Sequence, residues 1–107
     1  MTATLDVLIV GAGPTGLTLA CELARRGVSF RVIDKADRFL GGSRADGIQP
    51  RTLEVFADLG VIDRILAAGD LDTPLRAYRG DEVIWEGRIP RPAEPAPAVP
   101  YPNTWFV

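Results

Sequence analysis

Apolar runs and glycines alternate at the start of the chain. Val7-Leu8-Ile9-Val10 is wholly apolar and β-rich, the pattern of a short strand buried on both faces, as in a parallel sheet. Glycines follow at once. From Pro14 to Arg26 the period becomes helical. Leu17, Ala20, Cys21 and Ala24 fall at i, i+3, i+4 and i+7 and so share one predicted face, which makes Cys21 a small buried hydrophobe. Arg25 and Arg26 complement the helix dipole in the last turn, and Gly27 is placed to cap it. Phe30 to Ile33 reads as a second strand, ending at Asp34. Strand, helix and strand over about 30 residues predict a βαβ unit and an α/β fold.

Further along, residues 35–50 read as a loop, marked by Gly41-Gly42 and Pro50. Thr52 to Leu59 predicts a helix with Leu53, Phe56 and Leu59 on its apolar side. Gly60 stops it, and Val61 to Ala68 predicts a second short helix. Leu75–Tyr78 and Val83–Trp85 flank Arg79-Gly80-Asp81-Glu82, a hairpin with a longer turn. Pro90, Pro92, Pro95, Pro97, Pro100 and Pro102 mark an extended, hydrogen-bond-poor connector. Tyr101 to Val107 begins another apolar segment. The organisation expected is a nucleotide-binding βαβ unit with its helices over residues 1–70, then an incomplete β-rich segment over 71–107.

Composition narrows the chemistry. With 107 residues, 47% of them hydrophobic, the chain forms one small domain or part of a larger one. A net charge of −2 gives no basic field for nucleic acid or an anionic membrane. The absence of histidine removes His-ligated metals and a histidine base, and no metal site is expected. A single cysteine cannot form an internal disulfide, which points to a reducing, cytoplasmic setting. The apolar stretch Leu5–Ala24 is not read as a signal or membrane span. Asp6 lies inside it, Gly11, Gly13, Pro14 and Gly16 interrupt it, and no Lys or Arg precedes it.

The glycines carry the first chemical signal. Gly11-Ala12-Gly13-Pro14-Thr15-Gly16 fits G-x-G-x-x-G between a predicted strand and a predicted helix. In that setting Gly11 permits the tight turn, Gly13 lets the backbone approach a pyrophosphate, and Gly16 lets the helix pack closely on the strand. Helix-terminal N–H groups suit a diphosphate, and Pro14 costs no hydrogen bond at the first helical position. Asp34 lies 18 positions after Gly16, where the pattern expects an acidic residue for a ribose and disfavours a 2′-phosphate. These residues leave the choice between FAD and NAD open.

Ser43-Arg44-Ala45-Asp46-Gly47-Ile48-Gln49-Pro50-Arg51-Thr52-Leu53-Glu54, continued by Val55-Phe56-Ala57-Asp58-Leu59-Gly60-Val61, resembles the second motif of the single-component flavoprotein aromatic hydroxylases. This is the p-hydroxybenzoate hydroxylase superfamily, and A-D-G-[IL]-Q-x-R-T-L-E is most similar to its phenol 2-monooxygenase branch. The resemblance covers residues 5–70 well and the remainder more loosely. It implies FAD as cofactor, NAD(P)H as co-substrate with O2, and a phenolic or polycyclic aromatic substrate. It assigns Gly11, Gly13 and Gly16 to the FAD diphosphate and Asp34 to the adenosine ribose, with Pro14, Thr15 and Lys35 as further candidate cofactor-binding residues. Arg44 is assigned to the diphosphate and ribityl chain, where a guanidinium forks onto phosphate. Gln49 is placed near the cofactor chain. Asp46 is the implied catalytic residue, taking the proton of a substrate hydroxyl so that a more electron-rich phenolate meets the electrophilic oxygen. Gly69-Asp70 and Gly80-Asp81 read as turns, and Trp85 and Trp105 as strand packing. The family needs several hundred residues, so the 107 residues alone are expected to be inactive and to self-associate or pair with the missing C-terminal part. The alternatives are a non-catalytic dinucleotide-binding fragment and another FAD-dependent oxidoreductase, such as an amine oxidase or disulfide reductase.

Overall fold

The computed structural model describes residues 4–38, 46–71, 73–88 and 93–107. Its contacts fall into two compact units, Met1–Gly42 and Ser43–Val107. The first contains strand β1 (Val7–Val10), helix α1 (Pro14–Arg25) and strand β2 (Phe30–Ile33). The strands pair in parallel, with Val7 opposite Phe30 and Val10 opposite Ile33. The predicted βαβ unit is therefore present, with α1 starting at Pro14. Asp6 and Ser29 join the strand starts: the Asp6 carboxylate accepts from the Ser29 amide at 3.2 Å, and the Asp6 amide donates to the Ser29 hydroxyl oxygen at 3.0 Å. The Ser29 hydroxyl also donates to the Asp6 carboxylate, and this bond, followed by the one from the Ser29 amide, holds the Asp6 carboxyl below its ordinary range. An aspartate inside this apolar run thus has a structural use.

Helix α1 ends as its sequence predicts. Gly27 takes φ +68°, its amide donates to Ala24 O at 3.1 Å, and the Val28 amide donates to Leu23 O at 3.1 Å. That pair of bonds satisfies the last carbonyls and needs a left-handed residue, so glycine fits. Glu22 forms ion pairs with Arg25 and Arg26 along the same end.

The packed face of α1 differs from the expected one. Leu17, Cys21 and Ala24 are exposed, whereas Gly16, Ala20 and Leu23 are half-buried. Cys21 is an exposed free thiol and not a buried hydrophobe. The glycine turn is the reason. It brings Gly16 against β1, so Ala20 and Leu23, at i+4 and i+7 from Gly16, face the sheet, and of the expected row only Ala20 is among the packed residues. Burial of β1 on both faces is also corrected. Ile9 is 6% exposed, but Leu8 and Val10 are 57% and 77% exposed. Alternation points Val7 and Ile9 at the helix side and Leu8 and Val10 at the opposite face.

The second unit holds β3 (Gly47–Ile48), α2 (Pro50–Asp58), α3 (Ile62–Ala67), β4 (Pro74–Arg79), β5 (Glu82–Arg88) and β6 (Trp105–Phe106). Helix α2 starts two residues before the predicted Thr52 because Pro50 fits its first turn. Leu53, the most deeply buried of its residues at 1% exposure, lies on the predicted apolar side. Gly60 closes α2 by the same pair of bonds seen at Gly27. Strands β4 and β5 form an antiparallel hairpin with an irregularity at Ala77/Tyr78. Its turn is shorter than expected, since Arg79 pairs directly with Glu82 across Gly80-Asp81. Trp85 is exposed, and its ring lies over Gly87, where a side chain would meet the indole. Arg76 and Glu86 are joined across the strands, which raises the Arg76 pKa.

Two loop readings change. Within the predicted loop 35–50, Gly47 and Ile48 form β3 and pair antiparallel with β6: Gly47 opposite Phe106, Ile48 opposite Trp105. Asp70 is no turn residue. It exchanges two backbone hydrogen bonds with Phe106, at 2.8 and 2.9 Å. Phe106 is thus flanked by Gly47 on one side and Asp70 on the other. The connector is also less bond-poor than its prolines suggest. The Asn103 side chain accepts from the Ala93 amide at 2.7 Å and donates to its carbonyl at 2.8 Å, and Ala96 bridges to Val99.

Candidate functional site

In the first unit the glycine turn lies between the end of β1 and the start of α1. Gly11 has φ +113°, a conformation open to glycine and rarely to other residues. Gly13 precedes α1 with extended backbone, and no side chain among the described residues caps the helix. The N–H groups of its first turn are left for a ligand. No acidic residue stands in that turn to oppose an anion. Gly11, Gly13, Pro14, Thr15 and Gly16 line a groove of about 470 Å³ with Leu8, Ile9, Val10 and Leu19.

Glycine at 13 and at 16 serve opposite ends. A methyl group on Gly13 would meet nothing within 4 Å among the described residues, so that position is open to an approaching group. A methyl on Gly16 would run into the Gly11 carbonyl oxygen and lie 3.2 Å from Ile9 Cγ2. The first glycine leaves room outside the turn, and the second leaves room inside it.

Asp34 follows β2 and reaches back to the turn. Its Oδ2 accepts from the Ala12 amide at 2.7 Å, and its Oδ1 accepts from the Ala36 amide at 2.8 Å. The Gly11 amide donates to Ile33 O at 2.7 Å beside them. The Ala36 and Ala12 amides hold the Asp34 carboxyl below its ordinary range, with a smaller contribution from the Lys35 ammonium. The carboxylate thus stays ionised and keeps acceptor capacity, since each oxygen carries two lone pairs. Sequence spacing placed Asp34 beside the turn but gave no sign of its bond to Ala12.

The remaining site residues fall in the second unit or outside the described residues. Arg44 lies outside them. Asp46 is exposed at the start of β3, and its carbonyl accepts from the Val107 amide at 3.2 Å. Gln49 precedes α2, and its Oε1 accepts from the Thr104 hydroxyl at 3.1 Å. Thr104 was not singled out by any motif. Trp105 packs with its indole nitrogen buried and without a hydrogen-bond partner among the described residues. No group of three or more His, Cys, Asp or Glu side chains suited to a metal occurs among the described residues, and no helix there is long and apolar enough to cross a membrane.

The turn fits a dinucleotide cofactor on three counts: open backbone at Gly13, uncapped helix N–H groups, and an anchored carboxylate beside them. Comparison with known proteins identifies the group. Residues 4–82 match the family model described as the FAD binding domain. The chain belongs to this family. A flavin-dependent monooxygenase of Mycobacteroides abscessus is 48% identical over 96% of this chain. The 6-methylpretetramide 4-monooxygenase of Streptomyces rimosus is 56% identical over 60% of it. The chain spans 22% and 12% of those two relatives. Among solved structures, RebC soaked with K252c superposes with a TM-score of 0.72 at 33% identity, covering 99% of this chain and 22% of that one. RebC with reduced flavin, a rebeccamycin biosynthetic enzyme, gives 0.63 at 36% identity over 78% of this chain and 17% of that one. The resemblance read from residues 43–61 is borne out: this FAD binding domain aligns with the N-terminal part of flavin-dependent monooxygenases.

Proposed function

We propose that this chain is the FAD-binding part of a monooxygenase that hydroxylates a phenolic or polycyclic aromatic substrate with NAD(P)H and O2. The open glycine turn with the Asp34 carboxylate fixed behind it supports the dinucleotide part of the reading, and the match of residues 4–82 to the FAD binding domain supports the flavin. Residues 1–70 begin a Rossmann-like fold, and residues 71–107 begin a β-rich substrate-side segment. Gly11, Gly13, Pro14, Thr15 and Gly16 cradle the diphosphate: Gly13, Thr15 and Gly16 offer backbone N–H groups and the helix dipole, while Gly11, whose amide is bound to Ile33 O, and Pro14, which has no N–H, shape the turn. Asp34 accepts a ribose hydroxyl, with Lys35 beside it. Arg44 lies along the diphosphate and ribityl chain, and Gln49, oriented by Thr104, donates its amide to the cofactor chain. When bound, FAD would supply the redox chemistry, with electrons from NAD(P)H and oxygen from O2. The protein is cytoplasmic and acts on a small molecule, not on nucleic acid or membrane. Alone, the 107 residues are inactive and associate with themselves or with a complementary C-terminal part.

Titration of the 107-residue chain with FAD and with FMN tests the cofactor. Both ligands carry the flavin, but only FAD carries the adenosine diphosphate half that this site would grip. FAD is expected to bind measurably tighter. Equal affinity for the two would overturn the assignment.

Asp46 is the proposed base toward the substrate hydroxyl. In the longer protein, Asp46→Asn is expected to keep FAD bound and to slow hydroxylation by about 10²-fold or more, the usual worth of a positioned base. The deficit should shrink as pH approaches the substrate's own pKa, near 10 for a simple phenol, because the phenolate then forms unaided. Stopped-flow turnover against pH checks this. A variant with wild-type turnover at every pH would leave Asp46 as a turn residue.

A further inference from the structure

We infer that Asp34 is a positioning residue for the glycine turn: its carboxylate holds the turn in its diphosphate-binding shape before any nucleotide arrives. This rests on the nucleotide-binding reading of the site and goes beyond a ribose contact.

The geometry is a clamp with three hydrogen bonds. β1 and β2 run parallel, and their ladder continues one step past β1 through Gly11 N–H to Ile33 O at 2.7 Å. The next amide, Ala12 N–H, turns away from the main-chain ladder. The Asp34 side chain replaces the missing acceptor, with Oδ2 at 2.7 Å. Its other oxygen is fixed by Ala36 N–H at 2.8 Å, so the carboxylate cannot swing freely. Two successive amides of the turn are thereby tied to the end of β2. This matters because Gly11 at φ +113° sits where glycine has many alternatives and no side chain restrains it. A loop that holds its binding shape only part of the time binds in proportion to that fraction.

Two consequences separate this role from ribose recognition. Ala12 N–H points back at Asp34, so it belongs to the clamp and not to the diphosphate. More tellingly, the two roles predict opposite signs for a ligand without a ribose. Asp34 is an anion close to a proposed anion site, so neutralising it removes repulsion and should tighten inorganic pyrophosphate. If Asp34 clamps the turn, neutralising it releases the turn and should weaken the same ligand.

The test uses the 107-residue chain, wild type and Asp34→Asn, with inorganic pyrophosphate and ADP as probes. Asparagine keeps the shape but turns one of the two accepting oxygens into a donor. Pyrophosphate and ADP are both expected to weaken by about tenfold, the loss expected for one charge-assisted hydrogen bond. Unchanged or tighter pyrophosphate binding with weaker ADP would leave only the ribose contact and overturn the clamp. A second measurement needs no ligand and no substitution. In the wild-type chain the Ala12 and Ala36 amide proton shifts are expected to move together as the Asp34 carboxyl titrates, with Lys35 its charged neighbour. An Ala12 amide that ignores this titration overturns the proposal, including where Asp34→Asn fails to fold. If wild-type chain binds neither ADP nor pyrophosphate while both amides follow Asp34, the nucleotide reading fails and the clamp remains as a feature of the fold.

Discussion

Gly16→Ala is expected to unfold or loosen the first unit, although alanine is the better helix former. Gly16 lies in the first turn of α1, and alanine gains up to about 1 kcal/mol over glycine inside a helix. Against that, the new methyl would run into the Gly11 carbonyl oxygen, 3.1 Å from the carbonyl carbon and 3.2 Å from Ile9 Cγ2. The first contact is with backbone, so no side-chain rotation relieves it. Overpacking of this kind costs about 1–3 kcal/mol and occasionally more. The obstructed group belongs to the turn that carries Ala12 and Gly13, so the loss should appear in ligand affinity as well as in stability. Gly13→Ala is the matched control. Its methyl meets nothing within 4 Å among the described residues, so stability should hold to within about 0.5 kcal/mol. Diphosphate affinity should still fall, because the methyl occupies the approach path. Thermal unfolding with ADP titration of both variants reads the difference. Two variants of equal stability would show that α1 does not need to approach β1 at Gly16.

Much of the first unit was legible because its signals are local. The apolar run Val7–Val10, the glycine spacing, Pro14 and Gly27 each specify one step of the backbone, and the structure follows them residue by residue. The misplaced face of α1 shows where periodicity stops being informative. Leu17, Ala20, Cys21 and Ala24 satisfy a helical stripe, yet the contact at Gly16 sets the rotation of the helix, and a glycine contributes nothing to an apolar stripe. The smallest residue fixed the packing, so a count of large hydrophobic positions pointed to the wrong row. Leu8 and Val10 were misjudged for a related reason. A continuous apolar run looks the same whether or not both faces are covered, and α1 covers only one.

Asp34 was legible by spacing but not by bonding. An acidic residue about 20 positions after the glycines is a pattern in one dimension. That its two oxygens divide between Ala12 and Ala36 depends on how β2 ends beside the turn. The second unit was harder still. Asp46 and Gln49 stood out only through resemblance. Their supports, Val107 and Thr104, lie more than fifty residues away in the chain. A two-residue strand such as Gly47–Ile48 has no period to detect, and Gly69-Asp70 carries the signature of a turn while serving as a bridge to Phe106.

That bridge gives the other large expected effect. Gly69→Ala should disrupt β6 and, through it, the strand that begins beside Asp46. A methyl on Gly69 would run into the Phe106 carbonyl oxygen and lie 2.6 Å from Trp105 Nε1 and 2.7 Å from Val107 Cγ1. The struck oxygen is the one that accepts the Asp70 amide at 2.8 Å. Relief therefore requires breaking the Asp70–Phe106 bridge or displacing the indole, whose nitrogen is already buried and has no hydrogen-bond partner among the described residues. Restricting a flexible glycine gains about 0.4–1 kcal/mol, and overpacking costs about 1–3 kcal/mol, so the net sign is destabilising. Movement of Phe106 and Val107 also releases their partners, because Gly47 pairs with Phe106 and the Asp46 carbonyl holds the Val107 amide. The chain variant is expected to unfold earlier in urea, with the change carried by tryptophan fluorescence as Trp105 leaves its packed site. In the longer protein, hydroxylation should fall while the ADP affinity of the first unit is kept, since none of its turn residues is touched. Wild-type stability with wild-type turnover would mean that β6 can shift without moving Asp46, and that the proposed base is positioned by something other than its pairing with Val107.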